Sequence, residues 1–190
     1  METFTALFIL ACFGIFLIYW IIAAFGTKRT VEKQNPWQRL LLLAVFLAAY
    51  LLLRHGGALS AYSSAILWPR TLVTGLLGDV ITLAGLILML WARVVLGGNW
   101  SSSVVFKEGH ELIDRGPYRY VRHPIYSGLL LMVLGTAVLY GRLGGFIELL
   151  VLFFALRFKS LQEERLMARH FPEAYRSYKA RVKALIPSVF

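Results

Sequence analysis

Four long apolar stretches, divided by short basic segments, constrain this chain more than any other feature. A helix needs about 20 apolar residues to cross the hydrocarbon core of a bilayer. Thr3 to Phe25 meets that length, Trp37 to Leu53 is a little short but uninterrupted, and Thr71 to Leu96 is long enough to tilt. Ile125 to Phe158 is too long for one ordinary span and short for two. In its middle stands Gly141-Arg142-Leu143-Gly144-Gly145. Glycines relax the backbone and arginine avoids the bilayer centre, so a tight turn is expected there, joining two short spans in a helical hairpin. The expected fold is all-α and integral to the membrane, with about five transmembrane helices followed by a C-terminal helical tail. A chain of 190 residues that is 58% hydrophobic has no room for a sizeable soluble module. It is read as a single membrane domain, 1–190, with the first three spans in 1–96 and the loop, hairpin and tail in 97–190.

Basic residues give an orientation. The loop after the first span holds Lys28, Arg29, Lys33 and Arg39, and the Gly97–Pro124 loop holds Lys107, Arg115, Arg119 and Arg122. The tail holds eight more lysines and arginines from Arg157 to Lys183, whereas the opposite side has only Arg54, Arg70 and Arg142. With five spans all the rich segments fall on one side, so the N-terminus is expected outside and the C-terminus in the cytoplasm. A four-span chain would split the two richest segments. The net charge of +10 is explained by this bias and by anionic lipid, with no need for nucleic acid. The first span lacks a basic n-region and is long enough to cross, so it is read as a retained helix and not a signal peptide. The single cysteine, Cys12, excludes a disulfide within the chain and a cysteine-based metal cluster.

Polar chemistry concentrates in Gly109 to Gly128, GHELIDRGPYRYVRHPIYSG. Gly109 and Gly116 permit tight turns, and Pro117 and Pro124 stiffen the connection. Tyr118, Tyr120 and Tyr126 offer flat faces that attract a cation. His110 and His123 can donate to carboxylates or ribose oxygens. Pro124 opens a run of helix formers, which turns backbone N–H groups at Ile125 and Tyr126 toward a potential anion. For Arg115 and Arg119 a plain juxtamembrane role is preferred. In the tail, Glu163 and Glu164 point about 100° apart on a helix, so at most one faces this loop. Walker, GxGxxG, GxSxG and HExxH signatures are missing. His110 and His123 have no third ligand at metal-site spacing, so no metal is expected. Asp79 lies within the third span, where a packing or hydration role is as good a reading as function. Arg93, roughly 21 Å further along that helix, is expected to snorkel to the membrane surface.

From Gly98-Asn99-Trp100 onward the chain resembles the integral-membrane methyltransferases that include isoprenylcysteine carboxyl methyltransferase and the phospholipid N-methyltransferases. The resemblance rests on Gly109-His110, Gly116-Pro117-Tyr118, Arg122-His123-Pro124-Ile125-Tyr126-Ser127-Gly128, the hairpin, Glu163-Glu164 and the closing Phe171-x-x-x-Tyr175. It implies that hairpin and tail enclose S-adenosyl-L-methionine while a lipid-facing opening admits a lipophilic or small hydrophobic acceptor. Carried over by position, His110, Leu112, Ile113, Tyr118, His123 and Tyr126 are cofactor contacts. Glu163 is the carboxylate that helps to hold the cofactor, with Glu164 the alternative. Arg122 and Lys159 are candidates for orienting an anionic acceptor. The carboxyl methyltransferases have arginine where this chain has Lys159, which keeps the charge and loses the bidentate fork. The acceptor therefore stays open between a lipid amine, a lipidated cysteine carboxylate and a thiol. Competing readings are an NADPH-dependent reductase of the sterol reductase type, which shares an HPxY element, and a non-enzymatic scaffold or transporter.

Overall fold

The computed structural model of the chain describes residues 2–26, 30–33, 63–100, 105–107, 109 and 111–187, with isolated positions between 44 and 61. The expected second span, Trp37 to Leu53, lies outside the described residues apart from single positions. Among the described residues five α-helices carry the fold: α1 (Glu2–Ala24), α2 (Leu72–Leu96), α3 (Pro124–Tyr140), α4 (Leu143–His170) and α5 (Pro172–Arg181). Among the described residues two helices, Thr3–Ala24 and Leu72–Asn99, are long and apolar enough to cross a membrane, and Pro124–Tyr140 is a shorter apolar helix.

The helix boundaries follow local chemistry. Thr71 caps α2: its side chain accepts from the Thr74 backbone N–H, and the Thr74 hydroxyl answers on the Thr71 N–H. This is a reciprocal capping box with threonine where glutamate is more usual. Pro124 and Pro172 open α3 and α5, where a missing N–H costs nothing. Gly141 ends α3 with φ 58°, the left-handed conformation that glycine adopts without strain.

The hairpin turn falls at the expected glycine, with its partner strand of chain clamped on from 65–68. Leu67 N–H donates to Gly141 O at 2.7 Å, Leu143 N–H to Ala65 O at 3.0 Å, and the Trp68 indole N–H to Val138 O at 2.9 Å. One expectation is corrected. The last span, expected to end at Phe158, and the helical tail expected after it are one unbroken helix, α4. Only its surroundings change along its length, because the apolar stretch to Phe158 passes into charged sequence with no glycine or proline between.

α1 and α2 run parallel. A Cβ added at Gly75 would stand 2.9 Å from Thr5 Cγ2 near their starts, and Arg93 Nη2 donates to Ala23 O at 2.6 Å near their ends. Arg93 is buried, donates to Gly97 O as well, and lies over the Trp100 ring at 4.7 Å. It turns inward to close two helix ends, where the sequence led us to expect it to snorkel outward. Asp79 is buried in the same helix, away from the polar loop.

A short antiparallel ribbon adds to the all-helical frame: β1 (Thr30–Lys33) pairs with β2 (Val105–Lys107). It ties together the two basic loops that were expected on one side of the membrane.

α2 and α3 pack antiparallel through glycines. A Cβ at Gly85 would stand 2.5 Å from Gly128 O, and one at Gly78 would stand 2.7 Å from Gly135 O. Small residues let the backbones touch, which matters where lipid removes the hydrophobic drive to associate. Gly135→Ala is expected to cost about 1–3 kcal/mol by overpacking, read as a lower melting temperature in detergent. Gly14→Ala, where the added methyl meets nothing within 4 Å, should not lower it. Equal stability of the two variants would rule out the contact.

Candidate functional site

The polar loop folds onto the membrane helices through a tight 3-10 turn, Gly116–Arg119, which opens on Gly116 at φ 59°. The turn buries Pro117 and Tyr118 and leads directly into the first turn of α3. The end of the chain then straps across it. Arg122 N–H donates to Lys183 O at 2.8 Å, His123 N–H to Ala184 O at 3.0 Å, and Ser127 Oγ to Leu185 O at 2.5 Å. Tyr178 in α5 donates its hydroxyl to Tyr118 O at 2.6 Å.

Beneath this strap lies a cavity of about 340 Å³, within the usual range for small-molecule sites. Its polar end is lined by Leu112, Ile113, Tyr118, Arg122, His123, Tyr126, Lys159, Glu163, Tyr175 and Tyr178. Its apolar end is lined by Phe16 and Trp20 of α1, Met89 of α2, Ile125 and Leu129 of α3 and Leu156 of α4, with Trp100 beside Trp20.

Of the residues singled out from the sequence, Leu112, Ile113, Tyr118, Arg122, His123, Tyr126, Lys159 and Glu163 all line this one cavity. His110 lies outside the described residues. The two adjacent glutamates separate as helical geometry requires. Glu163 faces the cavity, accepting from the Tyr126 hydroxyl at 2.6 Å, with Lys159 Nζ at 3.9 Å. Glu164 is buried behind the wall, 2% exposed, and does not line the cavity. Arg122 donates to it through Nε at 3.1 Å and Nη2 at 2.7 Å, and Lys179 Nζ stands 2.8 Å from its other oxygen. Arg122 Nη1 donates to Val182 O. The guanidinium is thus engaged by the protein itself. Lys159, over the Tyr126 ring at 5.3 Å, is the cation turned toward the cavity.

His123 stacks flat on Tyr126 and reaches both glutamates, Nδ1 at 3.5 Å from Glu163 and Nε2 at 3.3 Å from Glu164. Burial works against charge on the imidazole, but the two carboxylates outweigh it and raise its pKa above the ordinary histidine value. Burial likewise opposes the Glu164 carboxylate, and donors from His123, Lys179 and Arg122 hold its pKa well below the carboxylate range. Glu163 is lowered in the same way, against burial, chiefly by His123 and Lys159. Burial first, then the nearby Glu163 charge, keeps the Tyr118 phenol protonated. The polar end is therefore a set of aromatic faces around the ionised, half-buried Glu163, with the exposed Glu111 also on the lining. That suits a cationic ligand carrying an ammonium group. Among the described residues no cluster of metal-ligating side chains exists.

A family model described as PEMT, phospholipid methyltransferase, matches residues 73–174, more than half of the chain. The chain belongs to the phospholipid methyltransferase family. The matched span runs from the start of α2 to the start of α5 and contains every cavity residue from Met89 to Met167. The protein-S-isoprenylcysteine O-methyltransferase of Schizosaccharomyces pombe is 34% identical over 106 residues, 52% of this chain and 43% of that protein. A probable protein-S-isoprenylcysteine O-methyltransferase of Oryza sativa is 28% identical over 179 residues, 90% of this chain and 88% of the rice protein. The cobalt-zinc-cadmium resistance protein CzcN of Cupriavidus metallidurans is 29% identical over 160 residues, 83% of this chain and 65% of that one. Among solved structures, the eukaryotic intramembrane Ras methyltransferase ICMT shares the fold, with TM-score 0.57 and 21% identity over 84% of this chain and 55% of that chain. The chain thus spans less than half the length of the yeast relative.

Sequence reasoning missed Phe16 and Trp20, because the resemblance gave nothing usable in the first span. Their four-residue spacing on one helical face was the available signal. It also missed Tyr178, whose role depends on α5 folding back.

Two expectations follow for the ligand-free protein. Glu164→Gln leaves Arg122 buried without its counter-charge and should cost about 3–5 kcal/mol in chemical unfolding, with Glu163→Gln much milder. His123, with its pKa raised on folding, contributes stability that is full below about pH 6.5 and is lost as pH rises through the folded value. The melting temperature should therefore fall on raising the pH above about 6.5, and less so in His123→Gln. Parallel pH profiles for the two proteins would exclude the buried imidazolium.

Proposed function

We propose that the chain is a membrane-embedded methyltransferase that uses S-adenosyl-L-methionine and methylates a lipophilic or small hydrophobic acceptor. The observation that carries this reading is the division of one cavity into a polar, aromatic, carboxylate-bearing end and an apolar end built from helices long enough to meet lipid. The cofactor, when bound, supplies a methyl group on a sulfonium, already a good leaving group. Tyr118, His123, Tyr126 and Glu163, with Leu112 and Ile113, are assigned to holding it, and His110 joins them by position in the family motif. Glu163 is the carboxylate for its amino group. Glu164 holds Arg122, and both act by positioning the wall.

What remains for the protein is orientation and exclusion of water. Phe16, Trp20, Met89 and Leu129 keep the acceptor end dry. Lys159 orients an anionic acceptor such as a carboxylate or thiolate, neither of which needs a general base. The family match and the isoprenylcysteine-type relatives support this over a reductase or a scaffold. In this reading the C-terminal strap faces the cytoplasm, so a cysteine placed at the exposed Arg181 should react with an impermeant maleimide only after the cells are opened.

The experiment is calorimetric binding of S-adenosylhomocysteine to the detergent-purified protein, followed by methyl transfer to candidate acceptors. Glu163→Gln should weaken binding at least about tenfold, the value of a charge-assisted hydrogen bond, and Tyr118→Ala should abolish it. Full affinity in both variants would remove the site assignment, and no binding to a folded wild-type protein would remove the cofactor.

A further inference from the structure

Tyr178 has two sides. One lines the cavity described above, and the other lines a separate open groove with Asp114, Arg115, Gly116, Arg119, Arg181 and Val182. Three arginines face one aspartate there, a local charge of +2. Arg115, Arg119 and Arg181 are exposed. Arg181 has a long Nε contact to Ser177 O, 3.4 Å, and Arg119 lies 5.6 Å from the Tyr120 ring. Asp114 is exposed and forms no ion pair with any of the three among the described residues. The three arginines thus line the groove with no ion pair to its one carboxylate.

The depth of the groove can be read from its neighbours. A Cβ at Gly116 would stand 3.0 Å from Val95 and 3.5 Å from the Trp91 indole nitrogen, so the turn lies against the last turns of α2. Trp91, Val94 and Tyr120 are 47%, 65% and 58% exposed around it. Exposed tryptophan and tyrosine beside an apolar face mark the headgroup level of a bilayer. At that level the available anion is the phosphate of an acidic phospholipid, and guanidinium groups suit phosphate oxygens.

We propose that this groove is a binding site for the phosphate of an anionic phospholipid, separate from the acceptor end of the cavity. A phosphate there draws together both flanks of the Gly116–Arg119 turn and the end of α5. These elements already meet in the Tyr178–Tyr118 hydrogen bond. Lipid in the groove therefore braces the wall between the two cavities. The proposal does not depend on the cofactor.

The test is native mass spectrometry of the ligand-free protein in neutral detergent, titrated with phosphatidylglycerol or phosphatidylcholine, with thermal unfolding in parallel. Wild type should retain one phosphatidylglycerol in preference to phosphatidylcholine and melt at higher temperature with it. At about fivefold per arginine, Arg115→Gln with Arg181→Gln should weaken that retention by about 25-fold. The pair Arg169→Gln with Arg176→Gln, exposed on the tail outside the groove, should leave it unchanged. Equal retention of the two lipids, or equal loss in both double variants, would overturn the site in favour of general surface charge. Stabilisation by inorganic phosphate alone at the lipid's concentration would overturn the lipid assignment.

Discussion

The buried pair of Arg122 and Glu164 is the contact on which the cavity depends. It joins the start of α3 to the last two turns of α4, and through Val182 O it joins both to the end of α5. No other cation could do this with one side chain. The planar fork of arginine serves the carboxylate with two donors and the carbonyl with a third. Burying two charges is expensive, and such a pair need not add net stability. What it adds is specificity of arrangement, since an alternative docking of the tail would strand one charge. The family motif thus contains, one residue apart, a positioning arginine and a cavity-facing histidine.

The apolar frame makes this placement possible. The glycines of α2 and α3 bring the two backbones into contact over two turns and more. A rigid seam of that kind fixes where the first turn of α3 stands relative to the end of α2. The polar loop has only to bridge those two ends. Arg93 adds a second fixed point by closing the ends of α1 and α2 together. The result is a site at the end of a tightly packed bundle, not in its middle. Its apolar half lies among the helices and its polar half lies under the strap.

Much of this was legible in the sequence, for physical reasons. Spans are visible because a bilayer demands unbroken apolar length, and Gly141 was visible because a hairpin demands a left-handed residue. The cavity residues of the loop and of α4 were visible because unusual polar groups at a membrane edge are informative. The continuity of α4 was not, since the change from apolar to charged sequence at Lys159 looks like a boundary while the backbone meets only a change of solvent. The inward turn of Arg93 depends on a carbonyl 70 residues away, and no local pattern encodes it. The contribution of Phe16 and Trp20 likewise needs the parallel docking of α1 on α2. The separation of roles between Glu163 and Glu164 was half legible. Helical geometry said they diverge, but the expectation that only one would face the loop is corrected: Glu164 meets it through Arg122, Glu163 through Tyr126, and His123 touches both.

That divergence gives the site its electrostatic logic. His123 stands between the two carboxylates and contacts both. Glu164 has Arg122 and Lys179 besides, so its charge is compensated whether or not the imidazole is protonated. Among the described residues Glu163 has, besides His123, the more distant Lys159 and the neutral Tyr126 hydroxyl. The proton on His123 is therefore held chiefly for Glu163. An ammonium group arriving at Glu163 supplies the charge that the imidazole supplies without it. A cation there would share Glu163 with the imidazole, while Glu164 continues to face the other ring nitrogen.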